Sequence, residues 1–322
     1  GGSSGGSAGY IAASKLAKFA IAQSTGGSIS APAAFCGVVG LTPTYGRVSR
    51  YGLIDYANSL DKIGVVAKTV RDASKALEII SGPDSRDETC QGAQFKDPPA
   101  LSKKITIGIP KEWLAQKIDP DVKKAFDEAV KKLQAQGMTV KEISIPSTPY
   151  ALAAYYIIAL AEASTNLAKY CGLRYGATLP LEGGGEFWEY FSKVRGKYFG
   201  AEAKRRILLG TFVRMAGYCD KYYIQSQKVR QLLINDFKKA FKEVDIIAAP
   251  TMPIIAPTFD EISKLTPIEE YSMDVLTVPA NVAGIPHLSI PCGTAKGMPV
   301  GLHLMADHDN DELLVQVGEK YG

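Results

Sequence analysis

The sequence predicts an α/β protein built on a largely parallel or mixed sheet. Short apolar runs of strand length alternate with helical patterns toward both ends of the chain. A long, almost wholly helical stretch separates the two ends. With 322 residues, 46% hydrophobic and 22% charged, the chain has the profile of an ordinary globular protein that buries a sizeable core without metal or disulfide.

Taken in order, Ala8 to Lys18 reads as a short helix and Phe19 to Ala22 as a buried strand. Ala31 to Cys36 is a second short helical stretch with Pro32 in its first turn, and Val38 to Leu41 a second buried strand. Val70 to Ile80 is helical and stops at Gly82-Pro83. Ile105 to Ile109 is a β-branched strand. Pro120 opens an amphipathic helix that puts Val122, Phe126, Val130 and Leu133 on one face and closes at Gly137. Val140 to Ile145 alternates as a strand. From Tyr150 to Phe241 the pattern is helical, interrupted by Gly183-Gly184-Gly185, and strand signals return at Val244 to Ala249, His287 to Ile290 and Val300 to Met305. The helical middle, about 150–243, is expected to be an insertion or covering layer within a single domain spanning 1–322.

A net charge of +4 tolerates an acidic partner without predicting one. Five scattered cysteines, none at CxxC spacing, suit reduced thiols in a cytosolic compartment. No apolar run approaches the roughly 20 residues of a membrane span, and no signal peptide, Walker loop, dinucleotide fingerprint or zinc-ligand cluster is present. Gly1 stands where Met is expected and the chain opens inside a motif, so a fragment is expected.

Two glycine-serine segments carry the chemistry. Gly1 to Ser7 alone reads most simply as a flexible linker. Thr25-Gly26-Gly27-Ser28, between an apolar strand and a helical stretch, is different. Glycines there let backbone amides converge on one point beside a serine, the arrangement of a nucleophile with an oxyanion hole; the alternative is a tight turn with a capping serine. Among the histidines, His287 is the plausible base for a Ser-His arrangement, although its place at the start of an apolar strand suits a structural role better; serine-lysine chemistry is the other option.

The segments GGSSGGSAG (from Gly1) and STGGSISAPAAFCGVVGLTPTYGRVS (from Ser24) resemble the amidase signature family. Beyond them, YGLIDYANSLDKIGVVAKTVRDA (from Tyr51), RRILLGTF (from Arg205), YYIQSQKVR (from Tyr222) and DVLTVPANVAGIPHLSIPCG (from Asp274) are similar to the A subunits of tRNA-dependent amidotransferases. The resemblance covers essentially the whole chain. It implies the amidase-signature fold, a mixed and mostly parallel central sheet covered by helices on both faces.

The resemblance also implies a Ser–cis-Ser–Lys triad, with Ser28 as nucleophile and Ser3 as the bridging serine, preceded by a cis peptide bond. Thr25, Gly26 and Gly27 would supply oxyanion amides. Arg206, Asp274 and Tyr155 match positions that grip the ends of glutamine. The implied reaction takes ammonia from glutamine for the conversion of Glu-tRNA(Gln) to Gln-tRNA(Gln). B and C subunits would be the partners, mischarged tRNA would be reached through the complex, and ATP and magnesium would sit on the partner, with no cofactor in this chain and no membrane. The alternatives are a stand-alone amidase and a non-catalytic scaffold subunit. Three departures accompany the match. The family lysine belongs to an upstream segment, so the chain by itself is expected to be inactive. Ser24 and Ser30 stand where aspartate and arginine are common. The spacing between the serine motifs is one residue longer than usual, which makes Ser4 a rival to Ser3.

Overall fold

The computed structural model describes residues 2–180 and 186–322; Gly1 and the expected Gly183-Gly184-Gly185 interruption lie outside them. The chain divides into two compact units. Unit 1 comprises Gly1–Leu53, Leu60–Leu152 and Val229–Gly322, and unit 2 comprises Ile54–Ser59 and Ala153–Lys228.

Unit 1 opens with α1 (Gly5–Ala13), β1 (Phe19–Ser24), α2 (Ser30–Cys36), β2 (Val39–Thr42), β3 (Lys62–Ala67) and α3 (Val70–Ile80). It continues through β4 (Thr106–Pro110), α4 (Lys111–Leu114), α5 (Pro120–Ala135) and β5 (Thr139–Ile143). The helical middle holds α6 (Thr148–Asn166), α7 (Phe187–Tyr198), α8 (Ala201–Arg214) and α9 (Gln225–Ala240). The chain then returns through β6 (Ile246–Pro250), α10 (Phe259–Ser263), α11 (Pro267–Ser272), α12 (Val278–Ala283), the β7–β8 pair (His287–Ala295 and Met298–Met305) and α13 (Asp311–Tyr321).

Local chemistry explains the boundaries that the sequence made legible. Thr69 caps α3 by accepting from the Asp72 amide, and Asp119 caps α5 ahead of Pro120 by accepting from the Asp121 amide. Two differences stand out. The first helix begins at Gly5 and ends at Ala13, short of the expected Lys18. Strand β3 has no counterpart among the expected strands, because Lys62 and Gly64 break its apolar signal.

Eight strands form one sheet in the order β1-β3-β2-β7-β8-β6-β4-β5. The sheet is mixed, but five of its seven pairings are antiparallel, which corrects the expectation of a mostly parallel sheet. The reason is in the connections. β7 and β8 are joined by a two-residue turn in which Lys296 (φ 51°) and Gly297 (φ 78°) both take positive φ, and such a hairpin is antiparallel by construction. A crossover helix, α5, lies between β4 and β5, and those two strands run parallel.

Alternation along the strands sorts their side chains onto two unlike faces. Val39, Leu41, Val65, Ala67, Leu288, Ile290, Leu302 and Leu304 join one hydrocarbon cluster with Ala73 and Leu77 of α3, Phe126 and Leu133 of α5, and Leu314 and Val317 of α13. Many of the intervening positions on neighbouring strands are polar or small, among them Lys62, Gly64, Gly40, Thr42, His287, Ser289, Gly301 and His303, while Val66 joins a smaller apolar cluster with Ala22 of β1 and Ile29 and Ala33 at α2. This second face is the one against which α2 packs. A Cβ on Gly40 would lie 2.7 Å from Ala33 Cβ, and one on Gly301 would lie 2.7 Å from Ala34 Cβ. Glycine at both positions therefore lets α2, and the turn that leads into it, rest directly on the sheet.

In unit 2, Glu162 accepts from the Ser59 amide at 2.9 Å and from its hydroxyl at 2.6 Å, and Lys169 pairs with Asp55 at 2.9 Å, tying 54–59 to the helical segment. Thr148–Lys169, α6 and the turn after it, is by length and composition able to cross a bilayer, at 22 residues and mean hydropathy 1.2. Half of that window is nonetheless buried inside the protein, as in a core helix. The expectation that no run approaches membrane-span length is corrected to that extent; small residues such as Ala153, Ala154 and Ala159 make the run unobtrusive in the sequence.

Candidate active site

The turn Thr25-Gly26-Gly27-Ser28 leaves the end of β1 and enters α2. Thr25, Gly26 and Gly27 are buried, and Ser28 is half-buried. Gly27 has φ +151°, and a Cβ there would stand 2.2 Å from Thr277 Oγ1, so only glycine fits. Thr25 Oγ1 donates to Asp61 Oδ1 at 2.7 Å, and Gln23 Nε2 reaches Thr25 Oγ1 at 2.7 Å and Asp61 Oδ1 at 2.9 Å. Asp61, which is 1% exposed, thus anchors the start of the turn.

The other side of the turn is held from α12. Thr277 Oγ1 donates to Gly26 O at 3.0 Å and Ser24 Oγ donates to Asn281 Oδ1 at 3.2 Å, while the Gly27 amide donates to Ser24 Oγ at 3.1 Å. The last contact has a chemical consequence: the Gly27 amide, one of the expected oxyanion donors, is directed at Ser24. The amides of Gly26 and Ser28 donate to no described group and stay available to a developing negative charge.

Ser3 is exposed, and its hydroxyl makes no hydrogen bond among the described residues. Among those residues no peptide bond is cis, so the bond expected to be cis before Ser3 is trans. It is the neighbouring Ser4 that touches β1 and the Ser28 turn. The Ser4 amide donates to Ser28 O at 3.2 Å, and its buried hydroxyl donates to Gln23 O at 3.0 Å and accepts from the Gln23 amide at 3.2 Å.

His287 is fully buried and lies 3.0 Å from Ser30 Oγ and 3.0 Å from His303 Nε2 through the same ring nitrogen. Burial, with Lys62 and His303 nearby, holds it well below the usual histidine range, and burial takes His303 down to about 3. Both are neutral structural imidazoles, and His287 addresses Ser30 and not Ser28.

Asp274, half-buried, lies between α11 and α12; its carbonyl accepts from the Thr277 amide at 3.1 Å and from Thr277 Oγ1 at 3.2 Å. One hydroxyl therefore links Asp274 to Gly26. Arg206 and Tyr155 belong to unit 2. Arg206 donates to Glu202 Oε1 at 2.8 Å and to the Tyr56 hydroxyl at 2.7 Å. Tyr155 is buried edge-on against Tyr156, with ring centroids 4.8 Å apart. Within unit 1 the structure brings together Ser28, Thr25, Gly26, Gly27, Ser4 and Asp274, and leaves Ser3 at the surface.

Four supporting residues escaped the reading of the sequence: Asp61, Lys62, Thr277 and Asn281. Only Lys62 left a signal, a lone cation inside the run DKIGVV. It is wholly buried, and loss of hydration lowers it to about 7. Among the described residues no group of three or more histidines, cysteines or acids is arranged to hold a metal.

The amidase family model matches residues 1–315. The A subunit of glutamyl-tRNA(Gln) amidotransferase from Archaeoglobus fulgidus is 49% identical over all of this chain and 69% of its own length. The protein of that name from Roseiflexus castenholzii is 47% identical over all of this chain and 65% of its own. The chain thus spans about two thirds of such relatives. The crystal structure of the corresponding glutamyl-tRNA(Gln) amidotransferase chain from Thermotoga maritima superposes with a TM-score of 0.79 at 37% identity, covering 99% of this chain and 64% of that one. A loop with two uncommitted amides beside a half-buried serine, together with a family match over nearly every residue, leads to one conclusion: the chain belongs to the amidase family.

Proposed function

We propose that this chain carries the nucleophile of a glutaminase subunit of a tRNA-dependent amidotransferase, supplying ammonia for the conversion of Glu-tRNA(Gln) to Gln-tRNA(Gln). The observation that carries the reading is the built turn around Ser28, in a chain whose relatives along its whole length bear the name of that amidotransferase subunit. In the proposed mechanism Ser28 Oγ gives its proton through a bridging hydroxyl to a neutral lysine and attacks the side-chain amide carbon of glutamine. The tetrahedral oxyanion faces the amides of Gly26 and Ser28. The nitrogen takes a proton and leaves as ammonia, and water releases glutamate from the Ser28 ester.

Ser3 fills the bridging role by motif, with Ser4 as its rival; the Ser4 amide meets Ser28 O, while its hydroxyl is engaged with the Gln23 backbone. Arg206 would hold the α-carboxylate of glutamine and Asp274 its α-amino group, with Tyr155 as the third substrate residue, an arginine fork suiting a carboxylate and an aspartate an ammonium. B and C subunits, mischarged tRNA, and ATP with magnesium on the partner complete the proposal, in a cytosolic setting.

In the assembled enzyme Ser28→Ala is expected to reduce ammonia release from glutamine by roughly 10⁴-fold or more. Unchanged release would refute the assignment. Glutaminase activity that ignores the presence of partner subunits would point instead to a stand-alone amidase.

A further inference from the structure

Four consecutive carbonyls in the turn from α12 into β7 are each met by a group from elsewhere in unit 1: the segment after β2, strand β3, and, twice, the loop between β8 and α13. His308 Nε2 lies 3.0 Å from Ala283 O, and the Tyr45 amide donates to Gly284 O at 3.0 Å. Lys62 Nζ donates to Ile285 O at 2.9 Å, and the Ala306 amide donates to Pro286 O at 3.2 Å. α12, which this turn terminates, is the element that holds the nucleophile turn through Thr277 and Asn281. Ser24, the residue hydrogen-bonded to Asn281, is also the cross-strand partner of Lys62.

These contacts close a ring. It runs from Lys62 to Ile285, back along α12 to Asn281, on to Ser24, and across the β1–β3 ladder to Lys62 again. The Gly27 amide hangs on the ring through Ser24 Oγ. A shift of Ile285 is therefore passed to the turn that presents Ser28.

Lys62 alone among the four donors carries an ammonium in its ordinary state, and nothing around it suits an ammonium. It is 2% exposed, Ile285 O is its acceptor, and among the described residues no carboxylate lies within ion-pair distance of it. The imidazoles of His287 on β7 and His303 on β8 both face it. Asp311 at the head of α13 favours its charge but accepts from the Thr44 amide, the Thr44 hydroxyl and Arg47, which also reaches Asp309. Asp61, its chain neighbour, accepts from Thr25 and Gln23, and His308 is engaged at Ala283. An ammonium here would lose its hydration with one acceptor in return, whereas a neutral amine, carrying no charge, loses far less on leaving water and still donates the bond to Ile285 O.

We propose that Lys62 is a positioning residue for the Ser28 turn that works as a neutral hydrogen-bond donor, and that its protonation loosens the ring and disables the site. The proposal rests on Ser28 being the nucleophile. Burial lowers Lys62 to about 7, so the change falls near neutral pH: the site is sound above that pH and degrades below it.

The test follows sulfonylation of Ser28 by phenylmethylsulfonyl fluoride from pH 5.5 to 9 in the assembled enzyme, with Lys62→Gln, Lys62→Arg and Ser28→Ala beside it. The wild-type rate is expected to fall about tenfold per pH unit below about 7. Lys62→Gln, a neutral donor, should keep the rate at pH 8 within about threefold and move the acid limb down by about a pH unit or more. Lys62→Arg, permanently charged, should react about 30-fold slower throughout. A Lys62→Gln profile that superposes on the wild type, or an arginine variant with wild-type rates, overturns the role of Lys62 and leaves Ser28 standing. Labelling of Ser28→Ala at the wild-type rate removes the nucleophile and the proposal together. A second measurement needs no variant. In protein labelled with ¹³Cε-lysine, one methylene should titrate near 7, and titration of every lysine in the ordinary range would overturn the proposal.

Discussion

Ser28 owes its character to its neighbours' backbone. Its turn is possible because Gly27 occupies a φ closed to other residues, with Thr277 Oγ1 filling the space where a Cβ would be. Gly27→Ala is accordingly expected to displace Thr277 and rotate the Gly26 and Ser28 amides. Glutaminase activity should fall by about 10²-fold or more, and stability in urea by more than about 1 kcal/mol. Near-normal kcat with lowered stability alone would mean that the turn tolerates the push and the amides keep their aim. At this scale the sequence was informative about Ser28 and Gly27, because a Gly-Gly-Ser turn between a strand and a helix is a local feature. It was silent about Thr277 and Asn281, which meet the turn from about 250 positions away in the chain.

Among the elements, α2 is the one that the site depends on, and its seat is made of glycines on other strands. A side chain on Gly301 would meet Ala34 Cβ at 2.7 Å, Thr251 Oγ1 at 2.7 Å and Ser289 Oγ at 2.9 Å. Gly301→Val should therefore lift α2 and destabilise unit 1 by about 1–3 kcal/mol, read from the urea midpoint at unchanged slope. Activity should fall with it, because Ser28 leads straight into α2. α5 serves the opposite face, where Phe126 is fully buried in hydrocarbon. Phe126→Ala is expected to cost about 3–5 kcal/mol while leaving the pH profile of the remaining folded enzyme unchanged. α3 and α5 could be delimited from the sequence because their caps, prolines and 3.6-residue periodicity are local features. Strand β3 could not be, since one lysine and one glycine hide its alternation, and they are the residues that face the site.

At the scale of the whole molecule, unit 1 has a sheet with one hydrocarbon face and one face that mixes a smaller apolar cluster with buried polar groups, and the latter stores bases that are uncharged when folded. His303 is held at about 3 by burial, whereas unfolded it regains the ordinary value of about 6.5. The unfolded chain then binds more protons between those values, so the stability that this imidazole contributes should be full above about pH 6.5 and lost progressively as pH falls toward 3, while Lys62, lowered from 10.5 to about 7, gives a slope of the same sign at higher pH. The loss belonging to this imidazole is on the order of a few kcal/mol, and His303→Gln should flatten that part of the curve. Urea unfolding of both proteins at intervals of half a pH unit would show it, and parallel curves would exclude His303 as the source. His287 adds to the same slope with the same sign.

The sequence by itself determined the alternation of strands and helices, the limits of α2, α3 and α5, the place of the Thr25-Gly26-Gly27-Ser28 turn between β1 and α2, and the family resemblance. All of these reside in residues close together along the chain, where spacing and local backbone preference act. The tertiary structure decided the rest. It made the sheet chiefly antiparallel, put Ser4 and not Ser3 against β1 and the Ser28 turn, directed the Gly27 amide at Ser24, and buried Lys62 where a cation finds little to replace water. Such outcomes depend on which distant strands pair and on what each side chain loses on leaving solvent, and neither is encoded in any short stretch of residues.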